Sequence, residues 1–277
     1  MYNVGNGKNE SAGRTRRGGR GERMRIRFAG TGTGDCKLKK KAGKESRRRT
    51  AVMIDDRFII NPSGDLFDFA AESGLSELFS GLSAAAVTCS EDYCFSPDEL
   101  ARLAGRREIP LLCGNLAAGR AAGIKNVRAV RCTPMLPMEI AGYTVIPVPT
   151  EEPGEDIYEI KYNLLIKGER VVYLRLHGGL PTGNEWRVIS ADVPDCVIFA
   201  APLGGAPLSG GGITRGSLEG VLLFERMMSN AGIAGERTRF IITSLPTDKV
   251  RQIHEETVSL LEGTPNAVAY DGYFVNL

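Results

Sequence analysis

Hydrophobic residues from Met24 onward fall into short runs separated by polar stretches, and most runs have the length and the β-branched or aromatic content of strands. The segments that predict strands are MRIRFAG, TAVMI, FIINP, SAAAVT, IPLLC, GYTVIPV, YEIKYNLLI and RVVYLRL. The chain closes with AVAYDGYFVNL, which predicts a hairpin turned at Asp271 and Gly272. Many strands with helices in both halves predict a layered α/β fold.

Three segments predict helices. The segment SPDELARLAG has Ser96 as its cap and Pro97 at its first helical position. A longer helix is predicted over 217–228, after a Gly-rich stretch. The last is predicted to begin at Thr247 and to end at Gly263. Its buried face is predicted to carry Val250, Ile253, Val258 and Leu261.

Composition and charge divide the chain into a basic head and an acidic body. The chain has 277 residues, 42% of them hydrophobic, which is enough for a full core in one large domain or two small ones. Although the net charge is only +2, the first 49 residues contain 16 Lys or Arg and 4 Asp or Glu. Residues 1–23 are rich in Gly and Arg without apolar periodicity, so we predict a disordered basic tail before a domain at 24–277.

The tail leaves three interpretations open: a contact to nucleic acid phosphates, a solvated segment, or a natural start at Met24. No apolar run is long enough to span a bilayer, and the first residues lack the apolar core of a signal peptide, so we expect a cytoplasmic protein without a membrane partner. Cysteines in such a chain are expected to be reduced. Only Cys89 and Cys94 are close enough in sequence for joint chemistry.

A second basic cluster lies between two predicted strands and is therefore expected to be a loop on the domain. Such a loop could present charge to a phosphate, a nucleotide or nucleic acid, or it could be a solvated loop that pairs with acidic groups. The candidate anion-binding residues are Lys37, Lys39, Lys40, Lys41, Lys44, Arg47, Arg48 and Arg49.

Several motifs, in the same order along the chain, resemble the metallo-β-lactamase superfamily. They are MRIRFAGTGTG, RRRTAVMIDDRFIINPSGD, AAAVTCSEDYCF, FIITSLP and AVAYDGYFVNL, and the likeness covers nearly all of 24–277. The chain is most similar to the branch with ribonuclease Z, the cyclic phosphodiesterase of phosphonate breakdown and the synthesis protein of pyrroloquinoline quinone. The resemblance implies an αββα sandwich with the site at one edge, and homodimers are frequent in this superfamily.

The same resemblance implies that the metal ligands have been replaced. The family signature T-H-x-H-x-D-H falls on 88–94, and the bridging aspartate falls on Leu176, beside His177. A dinuclear zinc site needs five or six N or O donors and a bridging carboxylate, which leucine cannot supply. The residues of this altered site are Cys89, Glu91, Tyr93, Cys94, Glu152, Leu176, His177, Arg215 and Ser244.

Three interpretations of this loop remain open. One metal ion, most simply zinc, could be held by Cys89, Glu91 and Cys94, with Glu152 or His177 as a further ligand. Alternatively, the two cysteines could form a redox pair. In the third and preferred interpretation no metal binds, and positive side chains relieve the repulsion between the glutamates. The candidates for that role are Arg175, His177 and Arg215.

Two functions follow from these interpretations. The preferred one is a non-catalytic binding or assembly protein without a cofactor, in which the altered pocket and the Gly-rich segment 202–216 serve a protein partner or a small anionic ligand. The alternative is a hydrolase of phosphodiesters or other esters that uses one metal ion held by Cys and Glu ligands.

Overall fold

The computed structural model describes residues 24–34, 43–153, 159–178, 181–204, 216–246 and 254–277. Two seven-stranded sheets form the centre of the molecule. The first sheet contains β1 (Arg25–Gly30), β2 (Ala51–Ile54), β3 (Phe58–Ile60), β4 (Ala84–Ala86), β5 (Ile109–Cys113), β6 (Val127–Arg131) and β14 (Phe274–Asn276). The second contains β7 (Met138–Ile140), β8 (Tyr143–Pro153), β9 (Ile160–Lys167), β10 (Val171–Arg175), β11 (Cys196–Ala200), β12 (Arg239–Thr243) and β13 (Asn266–Val268).

Each sheet is half antiparallel and half parallel. The first has the order β14-β1-β2-β3-β4-β5-β6, and its pairing becomes parallel from β3 onward. The second has the order β13-β12-β11-β10-β9-β8-β7, with parallel pairing from β10 to β13. The loops that follow the parallel strands β4 and β10 carry most of the altered site.

Helices cover the outer faces of both sheets. The helices are α1 (Leu66–Glu72), α2 (Pro97–Ala104), α3 (Asn115–Ala121), α4 (Gly183–Ala191), α5 (Leu218–Asn230) and α6 (His254–Leu260), with a 3₁₀ turn at Gly43–Glu45. Because side chains alternate along a strand, Val52 and Ile54 of β2 enter the core between the sheets, whereas Met53 packs towards α1 and α2. The layers are therefore helix, sheet, sheet and helix, as predicted.

Most predicted elements are present. Every segment predicted as a strand contains one, and Ser96 caps α2 by accepting a hydrogen bond from the Glu99 amide at 3.3 Å. The helix predicted over 217–228 is α5, with Ser217 as its cap. Gly30 is required at the end of β1, because a Cβ there would lie 2.0 Å from the carbonyl oxygen of Arg49.

Two predictions at the C-terminal end are wrong. The segment around Asp271 and Gly272 is not a hairpin, because β13 pairs with β12 in the second sheet and β14 pairs with β1 in the first. The turn therefore passes the chain from one sheet to the other. In α6 the predicted core residue Val258 is 47% exposed, whereas Leu261 is buried. The predicted start of that helix, with Val250 and Ile253, lies outside the described residues.

Candidate functional site

Asn61 and Thr88 anchor the loop that carries the altered signature. Thr88 follows β4, and its amide donates to the Asn61 Oδ1 at 2.9 Å. The Asn61 Nδ2 donates in turn to the Thr88 hydroxyl at 2.9 Å. Asn61 has a φ of 56°, a left-handed conformation that asparagine tolerates better than most residues. Both side chains are buried, so the start of the loop is fixed by hydrogen bonds within the protein.

A buried lysine lies between the two glutamates of the site. The Lys161 Nζ donates to Glu91 Oε2 at 3.0 Å and to Glu152 Oε1 at 3.1 Å. Its third hydrogen bond goes to the Tyr93 hydroxyl at 3.1 Å. Lys161 is only 4% exposed, so its ammonium group is compensated by the two carboxylates rather than by water.

This network changes the pKa values of its members. Burial lowers the pKa of Lys161, but the nearby carboxylates, Glu152 first, outweigh burial and raise it above the ordinary value. Burial raises the pKa of Glu152, but His177, the Gly178 amide and Lys161 together lower it below its ordinary value. Both directions favour the charged forms of Lys161 and Glu152.

Of the cations predicted from the sequence, His177 lies near one glutamate, with its Nδ1 4.0 Å from Glu152 Oε1. Arg175 is the last residue of β10, next to the lost bridging position, but its Nε donates to Glu185 of α4 at 2.7 Å. The Arg175 guanidinium also stacks over the Phe224 ring, 4.5 Å from its centroid. The prediction that Arg175 compensates the glutamates is therefore corrected to Lys161. Arg215 lies outside the described residues.

Three soft or borderline donor groups converge beside this network. One donor atom each from Cys89, Cys94 and His177 lies within 4.8 Å of the other two, and all three residues are buried. The His177 Nε2 lies 2.7 Å from the Thr88 hydroxyl, which is also 3.5 Å from the Cys94 Sγ. The structure thus brings His177 into the group that the sequence predicted around Cys89 and Cys94.

The pKa values of the two thiols are shifted in opposite directions. Burial raises the pKa of Cys89, but hydrogen bonding to Cys94 and the proximity of His177 bring it down to about 6. Burial and the neighbouring Cys89 raise the pKa of Cys94 well above its ordinary value. A small cavity of about 30 Å³ reaches Cys89 from between β9 and α3, which is room for one or two water molecules.

The remaining signature positions contain no ligands. Leu176 packs against the core between the sheets. The Ser244 hydroxyl lies 2.6 Å from the Thr50 hydroxyl, so it takes part in a contact between the β2 and β12 segments. Burial and the nearby thiols raise the pKa of Tyr93, which keeps its hydroxyl protonated.

These observations decide whether a dinuclear centre fits the described residues. A bridging position requires a carboxylate, and Leu176 offers only carbon. Glu91 and Glu152, the acidic residues at two further ligand positions, are both bound to the Lys161 ammonium group. The residues present therefore do not fit a pair of metal ions.

The basic segment before β2 is largely internal where the structure describes it. The Arg47 Nη1 donates to the Thr31 hydroxyl at 2.9 Å and to the Ala269 carbonyl oxygen at 2.6 Å. Its Nη2 lies 3.3 Å from the Nδ1 of His254, which is buried at the start of α6.

Arg48 is internal as well, because it pairs with Asp271 at 3.1 Å and with Glu72 at 2.6 Å. The expectation that Arg47 and Arg48 present their charge to a ligand is therefore corrected: these guanidinium groups fasten the segment to the C-terminal strands.

Arg49 and Lys44 of the same cluster have different surroundings. The Arg49 amide donates to Asp65 Oδ2 at 3.1 Å. Lys44 is exposed, with its Nζ 5.3 Å from the centre of the Tyr270 ring.

Gly34, before the basic cluster, contacts the Tyr93 ring, since a Cβ added to it would lie 2.8 Å from that side chain. The residues that follow in the cluster, Lys37, Lys39, Lys40 and Lys41, lie outside the described residues.

Comparison with known proteins identifies the fold. No protein-family model and no curated protein sequence matches the chain. Among solved structures, the metallo-β-lactamase fold protein YhfI from Bacillus subtilis is 13% identical, with a TM-score of 0.67 over 92% of this chain and 100% of that one. Zn²⁺-bound PqqB from Methylobacterium extorquens is 13% identical, with a TM-score of 0.59 over 91% and 100% of the two chains.

Unliganded yeast PDE1 is 10% identical, with a TM-score of 0.61 over 92% of this chain and 99% of that one. Together these similarities show that the chain has the metallo-β-lactamase fold, as the sequence motifs predicted. Among the described residues, no helix combines the length and the apolar character needed to cross a bilayer.

Lys161 is the residue of this site that was not predicted from the sequence. Its signal was present: a lone lysine stands inside the apolar segment YEIKYNLLI, which becomes the buried strand β9. A charged side chain is almost never buried without a partner. The two glutamates of the altered signature were the partners, although they lie 70 and 9 residues away in sequence.

Proposed function

We propose that the chain is a non-catalytic binding or assembly protein on a metallo-β-lactamase fold. The observation that carries this proposal is the Lys161 ammonium group, 3.0 Å from Glu91 and 3.1 Å from Glu152. Hydrolysis in this fold depends on metal ions that lower the pKa of a bound water to near 7. An ammonium group cannot act as a Lewis acid towards water, and it occupies one oxygen of each carboxylate.

The alternative function, a hydrolase with one metal held by Cys89, Glu91 and Cys94, is less well supported. Its predicted carboxylate ligand is bound by Lys161 in an environment where Glu91 is 8% exposed. Releasing Glu91 for a metal would leave a buried ammonium group with one carboxylate fewer, which costs several kcal/mol. The group of three metal-ligand candidates in the structure contains His177 instead of Glu91.

The charge of the pocket bears on the ligand. Two carboxyl groups and the Cys89 thiol lie around the Lys161 ammonium group in the buried pocket. Such a pocket repels phosphates and favours cations. An anionic ligand, a nucleotide or nucleic acid remains a proposal for the exposed Lys44, since Arg47 and Arg48 are bound internally.

Hydrolysis assays test the proposal directly. The purified full-length chain is incubated with bis(p-nitrophenyl) phosphate and p-nitrophenyl acetate, with and without added Zn²⁺ or Mn²⁺, beside the Glu91→Gln and Glu169→Gln variants. We expect the same background rate in all samples. Metal-dependent turnover that is lost in Glu91→Gln and retained in Glu169→Gln would establish a hydrolase and overturn the proposal.

A salt titration tests the anionic ligand separately. Binding of a fluorescent single-stranded RNA and of a labelled nucleotide is measured from low to physiological ionic strength. Phosphate contacts predict affinity that falls steeply with salt. The absence of binding at low ionic strength ends the anion proposal and leaves a protein partner as the ligand class.

A further inference from the structure

We propose that Cys89, Cys94 and His177 bind one thiophilic cation with the chemistry of Zn²⁺. This inference deepens the proposed function, because it names the ligand class of the same non-hydrolytic pocket. The proposed site differs from the dinuclear zinc site of the fold in the type of ligand, in the number of ions and in the absence of a bridging carboxylate.

The geometry of the three donor groups supports the inference. Their donor atoms lie within 4.8 Å of one another. In a tetrahedral zinc site with Zn–S near 2.3 Å and Zn–N near 2.0 Å, donor atoms are separated by roughly 3.3–3.8 Å. Cys₂His sets with a fourth, variable ligand are an established zinc environment.

The backbone around the donors is fixed before any ion binds. Cys89 and Cys94 lie on the loop that Asn61 and Thr88 anchor. The backbone of His177 is held on both sides by Asn163, whose Nδ2 donates to the His177 carbonyl oxygen at 3.0 Å and whose Oδ1 accepts from its amide at 2.9 Å. Preorganised donors lose little conformational entropy on binding, which favours affinity.

The imidazole of His177 is also oriented from outside the group. Its Nε2 lies 2.7 Å from the Thr88 hydroxyl, which leaves the Nδ1 as the nitrogen that can bind a cation. The Nδ1 lies 4.0 Å from Glu152 Oε1, beyond hydrogen-bond distance. Outer hydrogen bonds of this kind fix the ring and the tautomer of metal-bound histidines. Thr88 therefore serves the site as a positioning residue.

The charges of the pocket fit one cation. The Lys161 ammonium group is balanced by Glu91 and Glu152, so it does not oppose a cation at the thiols. The Glu91 Oε2 lies 3.9 Å from the Cys89 Sγ, on the side of the pocket where negative charge adds to the attraction. Two thiolates, a neutral imidazole and this carboxylate environment match the preference of Zn²⁺ for soft and borderline donors. Binding releases the remaining thiol protons.

One ion, and not two, is expected. The other signature positions near the group are Tyr93, Glu91 and Glu152, which are all bound to Lys161, and Leu176, which packs in the core. They do not complete a second set of ligands.

Metal binding by the reduced full-length chain tests the inference. The chain is titrated with Zn²⁺ and, separately, with Co²⁺, whose thiolate complexes absorb in the near ultraviolet. The variants are Cys94→Ser and His177→Ala. The matched controls are Cys113→Ser and Cys196→Ser, which remove buried thiols from sheet strands outside the group.

We expect about one ion per chain for the wild type and both controls, and an affinity at least about 100-fold lower in the two site variants, beyond the 10–100-fold typical of an outer hydrogen bond. Zn²⁺ should raise the melting temperature of the wild type and controls but not of Cys94→Ser, which separates lost binding from lost folding. Equal binding by Cys94→Ser and wild type, or no binding by the folded, reduced wild type, would overturn the inference. A Cys89–Cys94 disulfide that forms in air while the reduced chain binds no metal would overturn it as well.

The two proposals fail in different ways. Absence of metal together with absence of hydrolysis removes the cation and leaves the non-catalytic role intact. Metal-dependent hydrolysis by the loaded chain removes the non-catalytic role and leaves the metal site intact.

Discussion

The ammonium nitrogen of Lys161 lies 3.0 Å from the Oε2 of Glu91, and both side chains are at least nine-tenths buried. Glu91 occupies a signature position of the fold, whereas Lys161 comes from β9 in the second sheet. The pair therefore joins the altered loop to the opposite sheet through charge. A buried pair of this kind costs desolvation free energy when it forms, and breaking it by removing one partner costs more.

Replacement of Lys161 should destabilise the fold. In Lys161→Met, Glu91 and Glu152 keep their negative charges without a cation, and we expect the free energy of unfolding to fall by about 3–5 kcal/mol. Urea denaturation at pH 7 measures the change. The matched control is Lys167→Met, which removes a lysine from the same strand whose partner is Asp192 at a partly exposed site, and it should cost under about 1 kcal/mol.

A second substitution tests the reason for that loss. In Lys161→Met/Glu91→Gln, one of the uncompensated charges is gone, so part of the lost stability should return. Equal stability of the single and the double variant would show that the loss comes from packing of the lysine stem rather than from charge.

Acid should weaken the same network. The pKa of Glu152 is lower in the folded protein than its ordinary value of about 4.5, because the contributions of His177, the Gly178 amide and Lys161 exceed that of burial. A depressed folded-state pKa means that the contribution of Glu152 is present above about pH 4.5 and is lost as the pH falls through the folded-state value.

Denaturation at several pH values therefore distinguishes two variants. Glu152→Gln should be less stable than wild type at pH 7 and should lose less stability below pH 4.5. Glu169→Gln removes a carboxyl from an exposed turn and should follow the wild-type curve. A Glu152→Gln curve parallel to wild type down to pH 3 contradicts the assignment.

The anchor of the signature loop is also open to mutation. Asn61→Ala removes hydrogen bonds to the amide and hydroxyl of Thr88 in a buried setting, and we expect a loss of about 2–4 kcal/mol. Asn126→Ala is the control for backbone strain, because Asn126 has a φ of 61°, close to the 56° of Asn61, but makes a more exposed contact. Thermal and urea unfolding should separate the two, and similar losses would mean that strain explains Asn61.

The fold could be predicted from the sequence because it depends on local signals repeated in order. Short apolar runs, the Ser96 cap and the motif sequence each specify an element, and their agreement leaves few architectures. The same dependence on local signals explains why the predicted C-terminal hairpin is wrong. Two short strands around Asp271 and Gly272 have the local pattern of a hairpin, but each gains more by completing the edge of a different sheet.

The site was only partly predictable, because its composition depends on contacts distant in sequence. The replaced ligands at Cys89 and Glu91 could be read from the motif, but the choice of cation could not. Arg175 stands next to the lost bridging position, yet the nearby Glu185 of α4 accepts its hydrogen bond. Lys161 reaches Glu91 because two sheets pack face to face, which no spacing along the chain reveals.

The basic segment before β2 gives a final prediction, which separates structural from binding charge. Arg48 is 8% exposed and pairs with the buried Asp271, so Arg48→Ala should lower the free energy of unfolding by about 3–5 kcal/mol. Lys44→Ala loses an exposed contact to the Tyr270 ring and should cost no more than about 1 kcal/mol.

Ligand affinity should depend on Lys44 more than on Arg48, which is the reverse of their expected effects on stability. If RNA or a nucleotide binds this surface, Lys44→Ala should weaken its affinity and reduce the salt dependence, because an exposed ammonium group can contact phosphate. Arg48 is committed to Asp271 and Glu72, so Arg48→Ala should leave the salt dependence unchanged under conditions in which the variant is folded. Fluorescence anisotropy at several salt concentrations measures both effects, and a reduced salt dependence in folded Arg48→Ala would show that this arginine serves a ligand after all.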